Sequence, residues 1–372
     1  MNRDNSNRKQ RIFLIFSDLG LGGVQTKMIS LANKLAEQGA DCWIFLEERG
    51  RYSRARFLDN RVKVVTSLSI KIFNKRLFYG WRFVFLATLF IRILNPDSIF
   101  VSLSPLATQL INFLSRIYPE KVKSILVNED TYPSLKYECL RNCYKDNITK
   151  YYQKAKYVIA VSKSTFWDLR RNFQISSPPL VLLPNWTAFE SSKIPTLKGR
   201  DIDIIYAGRL ESQKRPLLLI KLFSKLVTIK PRINIRVYGD GKLKDTMMLQ
   251  IKKLHLGENV HILSPVPDLS QILRRTRFAV FTSSYEGLPM AGIEAMKEGS
   301  VVACLDAPGL RDLVIDNETG VVETSLPKLT SHISRLLDHP GDIKRLQKSA
   351  YEYAKINFSE RNEKKLISLI LE

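Results

Sequence analysis

The sequence is poor in the side chains that disulfide frameworks and metal sites require. Its 372 residues include four cysteines and four histidines, and all four histidines lie in the carboxyl half. Four cysteines are too few to form a disulfide framework, and no histidine lies near Cys139 or Cys143 to complete a metal site with them. The composition therefore predicts reduced thiols, a cytosolic protein and no metal centre.

Long apolar stretches are also missing. The longest, FVFLATLFIRIL at residues 83–94, is interrupted by Arg92, and it is shorter than the roughly 20 residues that a membrane-spanning helix needs. The first ten residues are polar and only six strand-like residues follow them, a pattern typical neither of a signal peptide nor of a membrane span. We therefore expect a protein without a transmembrane segment.

Acidic residues are scarce relative to basic ones. The chain has 58 lysines and arginines against 36 aspartates and glutamates, which gives a formal net charge of +22. Such an excess implies an anionic partner: nucleic acid, an anionic membrane surface or a phosphorylated substrate. No RNP-like, zinc-finger or glycine-lysine phosphate-loop pattern accompanies the charge, so nucleic acid is not the expected partner.

One basic segment also carries aromatic side chains. Between Lys71 and Arg82, lysines and arginines interleave with phenylalanine, tyrosine and tryptophan. Aromatic rings beside cations suit the headgroup level of a membrane, so this segment predicts peripheral contact with an anionic membrane surface. A helix whose polar face happens to be basic is an equally good reading of the segment.

Strand-like and helix-like segments alternate along the whole chain. A first series begins with a strand at residues 11–16, and a second begins at residues 202–210. Two successive series of this kind are typical of α/β proteins with two facing Rossmann-like domains and a cleft between them. We predict an amino-terminal domain at 1–190 and a second domain at 200–355. A polar linker (Ser191–Arg200) would join them, and a helix at 356–372 would pack back on the first domain.

Two loops of the first domain are candidate ligand contacts. The loop SDLGLGGVQTK contains Gly22 and Gly23, which allow close approach of a ligand, but it lacks a full G-x-G-x-x-G and is equally compatible with a structural turn. The strand at 122–127 is followed by three polar residues, Asn128-Glu129-Asp130. Ligand crevices of doubly wound sheets lie at such carboxyl ends of strands.

The most informative stretch is TSSYEGLPMAGIEAMKEG at residues 282–299. It predicts the end of a buried strand, a turn, and a helix with Pro289 at its first position. Amides at a helix start lack intrahelical partners and attract an anion. Glu286 and Glu294 flank that start and suit hydroxyl groups on either side of the anion, as in a nucleotide-sugar. A buried helix start with two solvated glutamates is the alternative.

A pair of cations follows the first strand of the second domain. The sequence GRLESQK at residues 208–214 places Arg209 and Lys214 after a strand end, where a helix begins. A diphosphate leaving group needs its developing negative charge neutralised, and two cations do this without a metal ion. Two exposed cations on a surface loop are the alternative.

Together these motifs resemble one enzyme family. AGRLESQKRP, VYGDG, SSYEGLPMAGIEAM and ETGVV occur in the order and spacing of the family 4 (group 1) retaining glycosyltransferases. The match is strong over about residues 203–322 and looser in the amino half. The resemblance implies the GT-B fold, with the acceptor side in the domain at 1–190 and the nucleotide-sugar site in the domain at 200–355. It also implies a hexosyltransferase that needs neither a cofactor nor a metal ion.

The resemblance also implies roles for individual residues. Arg209 and Lys214 would bind the diphosphate of the donor. Glu294 would hold the ribose hydroxyls, and Glu286 would hold a hydroxyl of the donor sugar; the two cations and Glu286 are the predicted catalytic residues of this domain. The remaining predicted donor contacts are glycines of the pocket and residues at the helix start: Gly22, Gly23, Gly208, Gly239, Gly241, Gly287, Leu288, Met290 and Ala291.

One position departs from the family pattern. Many relatives carry a histidine that contacts the donor sugar after the strand that here ends in Asn128-Glu129-Asp130. We predict that Glu129 or Asp130 takes that place in the catalytic site. A retaining reaction with front-face return needs no separate base, because a donor phosphate oxygen can take the proton of the acceptor. An altered sugar preference or an inactive relative are the alternatives.

These observations predict a glycosyltransferase that moves a sugar from a nucleotide-diphosphate sugar, expected to carry UDP, to a glycan acceptor. The basic excess favours a lipid-linked acceptor at the cytoplasmic face of a membrane, in the assembly of cell-surface polysaccharide or glycolipid. Two alternatives stay open: a nucleic-acid-binding protein that uses its basic surface, and a GT-B nucleotide-sugar epimerase. The epimerase lacks an obvious acid/base set.

Overall fold

The computed structural model describes residues 10–16, 19–20, 22–46, 54–66, 98–102, 122–129, 152–177, 179–189 and 199–372. Several sequence predictions lie outside these residues: the Lys71–Arg82 patch, the apolar run 83–94, Cys139, Cys143, Asp130 and most of the Ser191–Arg200 linker.

The described amino-terminal residues form a parallel sheet of seven strands. The strands are β1 (Arg11–Phe16), β2 (Asp41–Leu46), β3 (Lys63–Thr66), β4 (Ser98–Ser102), β5 (Val122–Asn128), β6 (Tyr157–Ala160) and β7 (Leu180–Leu182). Their order is β3-β2-β1-β4-β5-β6-β7, so the winding reverses between β1 and β4. Helix α1 (Gly23–Glu37) joins β1 to β2, and α2 (Lys163–Arg171) follows β6. We refer to this sheet and its helices as the first lobe.

The carboxyl-terminal residues form a second parallel sheet, of six strands. The strands are β8 (Ile202–Ala207), β9 (Ile235–Tyr238), β10 (Val260–Leu263), β11 (Thr276–Phe281), β12 (Val301–Leu305) and β13 (Gly320–Glu323). Their order is β10-β9-β8-β11-β12-β13, so the winding again reverses, here between β8 and β11. This second lobe repeats the doubly wound plan of the first, which confirms the predicted α/β architecture.

The helices of the second lobe connect its strands and then close the chain. They are α3 (Pro216–Ile229), α4 (Lys244–Lys253), α5 (Ser270–Leu273), α6 (Met290–Lys297), α7 (Leu326–Leu337), α8 (Pro340–Asn357) and α9 (Glu360–Leu371). The last of them returns to the first lobe: Lys34 of α1 donates to Glu360 at 2.9 Å and also to Glu363. In the described part of the chain, none of the helices combines the length and the apolar character that crossing a bilayer requires.

Local signals set the helix starts. Ser162 caps α2, because its hydroxyl accepts from the Thr165 amide at 3.1 Å, as its residue type favours. The predicted position of Pro289 is wrong by one residue: it is the N-cap of α6, with an extended ψ of 119°, and the helix begins at Met290. The Pro289 carbonyl accepts from the Gly292 and Ile293 amides, so Pro289 supplies the first acceptor of the helix without itself being helical.

The apolar core continues from one lobe into the other. One buried cluster contains Met28 and Ile29 of α1 together with Leu288, Met290 and Ile293 at the start of α6. The strands beneath are apolar on both faces; β12, for example, is buried along its whole length. The two lobes therefore meet through packed side chains around the starts of α1 and α6.

Two of the four cysteines lie in this core. Cys42 and Cys304 are free and buried, and burial raises the pKa of each thiol to about 12. Such thiols are protonated and unreactive at neutral pH. The predicted reduced state is confirmed for these two residues.

Candidate active site

Two loops that are far apart in sequence meet at the carboxyl edge of the second sheet. Strands β8 and β11 are paired neighbours, so the loops that follow them lie side by side at the point where the winding reverses. Lys214 Nζ, from the first loop, donates to both carboxylate oxygens of Glu286, from the second, at 2.6 and 2.5 Å. The two chemical motifs of this lobe are thus joined by an ion pair.

The Glu286 carboxylate is held from several sides. Its residue is 5% exposed, the Ser283 hydroxyl donates to it at 2.6 Å, and its amide donates to Pro308 O at 2.9 Å. Gly309, at φ +78°, packs so closely on this turn that an added Cβ would lie 2.3 Å from Glu286 O. The carboxylate therefore has a fixed position, as a group that orients a ligand needs.

Glu294 lies one turn into α6 and has an unusual acidity. The pKa of its carboxyl group is raised to about 7, chiefly by burial; Asp268 and Glu298 also raise it, while Lys297 and Arg54 oppose the rise. Arg54 belongs to the first lobe, so charged groups of both lobes act on the pKa of Glu294. Perturbed carboxyl groups of this kind are common at functional sites.

Glycines allow the loops after β8 and β9 to touch. A Cβ on Gly239 would lie 2.3 Å from Gly208 O, and Gly241, at φ +151°, would place one 2.7 Å from Leu210 O. Either substitution would push the two loops apart. Arg209, between these glycines and Lys214, has an exposed side chain and is positioned through its backbone, since its carbonyl accepts from Tyr206 Oη at 3.0 Å.

The glycine loop of the first lobe closes directly on the start of α6. A Cβ built on Gly23 would lie 2.2 Å from Cβ and 2.4 Å from Cγ of Met290, so the Met290 side chain occupies the space that a larger residue at position 23 would need. Both α1 and α6 begin here, and each helix start carries partial positive charge and amides without intrahelical partners. Two converging helix starts are a suitable environment for an anion.

Arg54 is a site residue that the sequence analysis missed. Its guanidinium donates to Thr26 Oγ1, and that hydroxyl donates to Gly22 O at 3.1 Å. Arg54 thus braces the glycine loop and approaches Glu294 of the other lobe. It lies in no recognisable motif, so only the folded structure reveals it.

Glu129 lies at the carboxyl end of β5, in a buried cluster with two residues that were also missed. Lys27 Nζ donates to Glu129 Oε1, and Asn185 Nδ2 donates to Glu129 Oε2 at 3.2 Å. One sequence signal existed for Lys27: it shares the apolar face of α1 with Val24 and Leu31. A lysine at such a spacing needs a buried partner.

No group of three or more histidine, cysteine, aspartate or glutamate side chains in the described part of the chain could hold a metal ion. The charged groups of the candidate site are Lys214, Arg54, Glu286 and Glu294. Their chemistry suits a ligand with an anionic centre and hydroxyl groups.

Two family models match consecutive parts of the chain. The model of glycosyltransferase family 4 matches residues 21–189, and the model of the glycosyl transferases group 1 matches residues 188–355. The first covers the strands of the first lobe except β1 (Arg11–Phe16), and the second covers the whole sheet of the second lobe. The chain belongs to the group 1 glycosyltransferases of family 4.

Curated relatives of this group 1 glycosyltransferase include bacterial glycosyltransferases. An N-acetylgalactosamine-N,N'-diacetylbacillosaminyl-diphospho-undecaprenol 4-alpha-N-acetylgalactosaminyltransferase of Campylobacter jejuni is 30% identical over 240 residues, which are 62% of this chain and 64% of that protein. The O-antigen biosynthesis glycosyltransferase WbnH of Escherichia coli is 27% identical over 159 residues, 42% of this chain and 44% of that one. The matches span less than two thirds of the length of these relatives.

Solved structures with the same architecture cover nearly the whole chain. TarM of S. aureus, in complex with Fondaparinux, alpha-GlcNAc-glycerol and UDP, superposes with a TM-score of 0.80 at 14% identity, over 98% of this chain and 100% of that one. Anabaena HepE, in complex with UDP and glucose, superposes with a TM-score of 0.78 at 16% identity, over 97% and 99%. The predicted GT-B fold is confirmed.

In this group 1 glycosyltransferase, several of the predicted donor contacts lie after β8 and β11 and at the start of α6, where the first lobe packs on the second. Lys214 and Glu286 form an ion pair, Glu294 lies on α6, and Gly23 faces Met290 from the first lobe. Asp130 lies outside the described residues, and Arg209 is exposed on the loop after β8. The roles assigned to these residues stay predictions.

Proposed function

We propose that this chain is an active, retaining glycosyltransferase that transfers a sugar from a nucleotide-diphosphate sugar, with UDP as its nucleotide, to a glycan acceptor. The observation that carries the proposal is the Lys214–Glu286 pair beside the converging starts of α1 and α6. This arrangement places a cation and two helix starts around one anion site, and two carboxylates at its ends.

Each group has a task in the proposed site. Lys214 and Arg209 neutralise the diphosphate as its charge develops, together with the amides of Met290 and Ala291. Glu294 accepts hydrogen bonds from the ribose hydroxyls, and Glu286 accepts one from the donor sugar. Binding of the diphosphate would draw Lys214 towards the phosphates and leave Glu286 available for a hydroxyl.

The proposed reaction balances without a further base. The bond between the anomeric carbon and the donor phosphate oxygen breaks, and a bond to the acceptor oxygen forms on the same face of the sugar. The acceptor's proton passes to a phosphate oxygen of the leaving diphosphate, whose negative charge the cations hold. Glu129 is paired with Lys27, so it fits a role in shaping the sugar side of the cleft better than a role as a free base.

A lipid-linked acceptor at the cytoplasmic face of a membrane is the acceptor we propose. The net charge of +22 favours an anionic substrate or surface. The Campylobacter jejuni relative is named for a diphospho-undecaprenol substrate, and the Escherichia coli relative for O-antigen biosynthesis. Polysaccharide or glycolipid assembly is therefore the process in which we place this chain, with peripheral membrane contact through Lys71–Arg82.

The first test is a thermal-shift screen of the protein against UDP, ADP, GDP and their sugars, followed by transfer assays to a polyprenyl-diphosphate glycan. We expect UDP to stabilise the protein by nearly 3 kcal/mol at about 100 times its Kd. The product's anomeric configuration, read by NMR, should match that of the donor. Tight, salt-dependent DNA or RNA binding with no response to any nucleotide would favour the nucleic-acid-binding alternative instead.

A variant separates the proposed site from general stability. Lys214→Ala removes the cation of the ion pair, so UDP protection should disappear and the unfolding free energy should fall by roughly 3 kcal/mol, because the buried Glu286 carboxylate loses its partner. Lys230→Ala is the matched control, since Lys230 pairs with Asp338 at the surface at 2.5 Å and should keep UDP binding. Full UDP protection in a folded Lys214→Ala protein would count against the proposal.

A further inference from the structure

A buried charged cluster joins the first lobe to the loop that begins α6. Its members are Lys27, whose side chain is 1% exposed, Glu129, at 11%, and Asn185, whose residue is 2% exposed. Lys27 Nζ donates to Glu129 and, at 2.6 Å, to Asn185 Oδ1. It also stands 4.9 Å from the ring centroid of Trp186. The lysine is therefore fully enclosed by partners of the first lobe and of the segment that leaves it.

Asn185 connects this cluster to the second lobe by a hydrogen bond. Its Nδ2 group donates to Glu129 Oε2 at 3.2 Å and to Leu288 O at 2.9 Å. Charge fixes the orientation of the amide: the oxygen faces an ammonium group, and both N–H groups face acceptors, whereas the flipped amide would set its oxygen against a carboxylate and a carbonyl. The Lys27–Glu129 pair thus determines which way Asn185 points.

The acceptor of that bond is the carbonyl of Leu288, which precedes Pro289, the N-cap of α6. Leu288 is 4% exposed, so its carbonyl depends on a protein partner. The peptide between Leu288 and Pro289 has no N–H, since proline lacks one. The hydrogen bond from Asn185 to Leu288 O therefore holds the plane of this peptide. The orientation of this peptide in turn affects the direction in which the next amides, those of Met290 and Ala291, point.

A buried ion pair is costly to desolvate, and a well-packed apolar pair of similar size is often as stable. Stability alone therefore does not explain the buried Lys27–Glu129 pair. Fixing the orientation of the Asn185 amide does explain it. We propose that Asn185 is a positioning residue of the donor site: oriented by Lys27 and Glu129, it anchors the Leu288 carbonyl and thereby aims the first amides of α6 at the donor diphosphate. This inference rests on the proposed function for the identity of the ligand.

The test compares Asn185→Ala and Asn185→Asp with a matched control. Aspartate keeps the size of the side chain but cannot donate to Leu288 O, so it distinguishes anchoring from space filling. Asn259→Ala is the control, because Asn259 Nδ2 also donates to two carbonyls, Pro231 O and Ile233 O, each at 2.9 Å, within the second lobe alone. Two readouts are measured at a temperature where all variants are folded.

The first readout is amide hydrogen exchange over residues 286–296 in the ligand-free protein, and the second is UDP affinity by calorimetry. We expect both Asn185 variants to exchange faster in this segment and to bind UDP about tenfold more weakly, as the loss of one buried hydrogen bond implies. Asn259→Ala should match the wild type in both. A second variant, Lys27→Met combined with Glu129→Gln, removes both charges together and should shift both readouts in the same direction by a smaller factor.

The outcomes separate this inference from the proposed function. Unchanged amide exchange over residues 286–296 in the Asn185 variants overturns the proposal that Asn185 anchors this segment, whatever the UDP affinity is. Faster exchange with unchanged UDP affinity overturns the role in donor positioning, as does normal binding by Asn185→Asp. A wild-type protein that binds no nucleotide refutes the proposed function, while the exchange data still decide whether Asn185 holds the loop.

Discussion

At the scale of single residues, burial rather than residue type sets the chemistry of the two glutamates. Glu286 is buried with a cation, since Lys214 donates to both of its oxygens. Glu294 is half-buried, forms no ion pair with any residue that the structure describes, and has a pKa raised to about 7, mainly by desolvation. Two carboxyl groups eight positions apart in one motif therefore have different surroundings, and the resolved pKa shift of Glu294 follows from its own.

The raised pKa of Glu294 predicts a dependence on pH. The folded protein keeps a proton that the unfolded chain, with an ordinary value of 4.5, releases. The stability that this group contributes is thus fully present below pH 4.5 and is lost as pH rises to about 7. The ionised form is the one that accepts hydrogen bonds from the ribose, so UDP binding should strengthen about tenfold between pH 6 and pH 8.

Calorimetric titration of UDP across this range measures the effect, and Glu294→Gln provides the comparison. The amide does not titrate, so its UDP affinity should be weaker and flat over the same pH range. The neighbouring groups that also shape the profile are Lys297, Asp268, Arg54 and Glu298. An unchanged pH profile in Glu294→Gln would show that another group is responsible.

At the scale of elements, two helix starts from different lobes face one another. α1 begins at Gly23 and α6 at Met290, and the side chain of Met290 lies where a Cβ on Gly23 would be. Only a residue without Cβ allows this approach. The glycine loop therefore has a packing reason for its composition, in addition to the ligand contact that the resemblance implies.

Gly23→Ala tests this packing. The added Cβ would lie 2.2 Å from Met290 Cβ, so the helix starts must separate; we expect a loss of about 1–3 kcal/mol in unfolding free energy and weaker UDP binding. Urea denaturation measures the first and calorimetry the second. Gly341→Ala is the control, because Gly341 also lies at a helix start and a Cβ there meets nothing within 4 Å. Equal stability of the two variants would contradict the close approach.

At the scale of the whole molecule, contacts outside the cleft hold the lobes together. The Ser164 amide of α2 donates to Asp312 Oδ2 at 2.8 Å, and the Thr187 amide donates to Phe358 O at 2.9 Å. Helix α9 follows the second lobe in sequence but pairs with α1 of the first through Lys34. Contacts between the lobes thus involve residues that precede Asn185 in the sequence, such as Ser164, and residues that follow it, such as Thr187.

Lys34→Ala should loosen α9. Glu363, its partner, is 1% exposed, so removal of the lysine leaves a buried carboxylate without its cation and should cost roughly 3 kcal/mol. Faster amide exchange over residues 360–371 measures the loosening directly. Lys63→Ala is the control, since Lys63 is 52% exposed and pairs with Asp41 on the surface; its effect should be small. Exchange in α9 that does not change in Lys34→Ala would refute this role of the ion pair.

The sequence by itself determined the fold class, the family and the chemistry expected of the motifs. Alternating strand and helix patterns are local, and so are the glycine loops and the residues that follow a strand end, because each depends on neighbours within a few positions. Short strands escaped this reading: β7 (Leu180–Leu182) has three residues between prolines, and β13 (Gly320–Glu323) has four. Tertiary pairing forms them, since so short a run carries no periodicity of its own.

Only the tertiary structure decided which side chains meet. Lys27 and Asn185 are 158 positions apart, and Asn185 and Leu288 are 103 apart, so no local pattern could relate them. Arg54 and the pKa of Glu294 likewise depend on the packing of one lobe against the other. The sequence specifies the type of each side chain, but its partners, burial and charge state depend on the segments that the fold brings together.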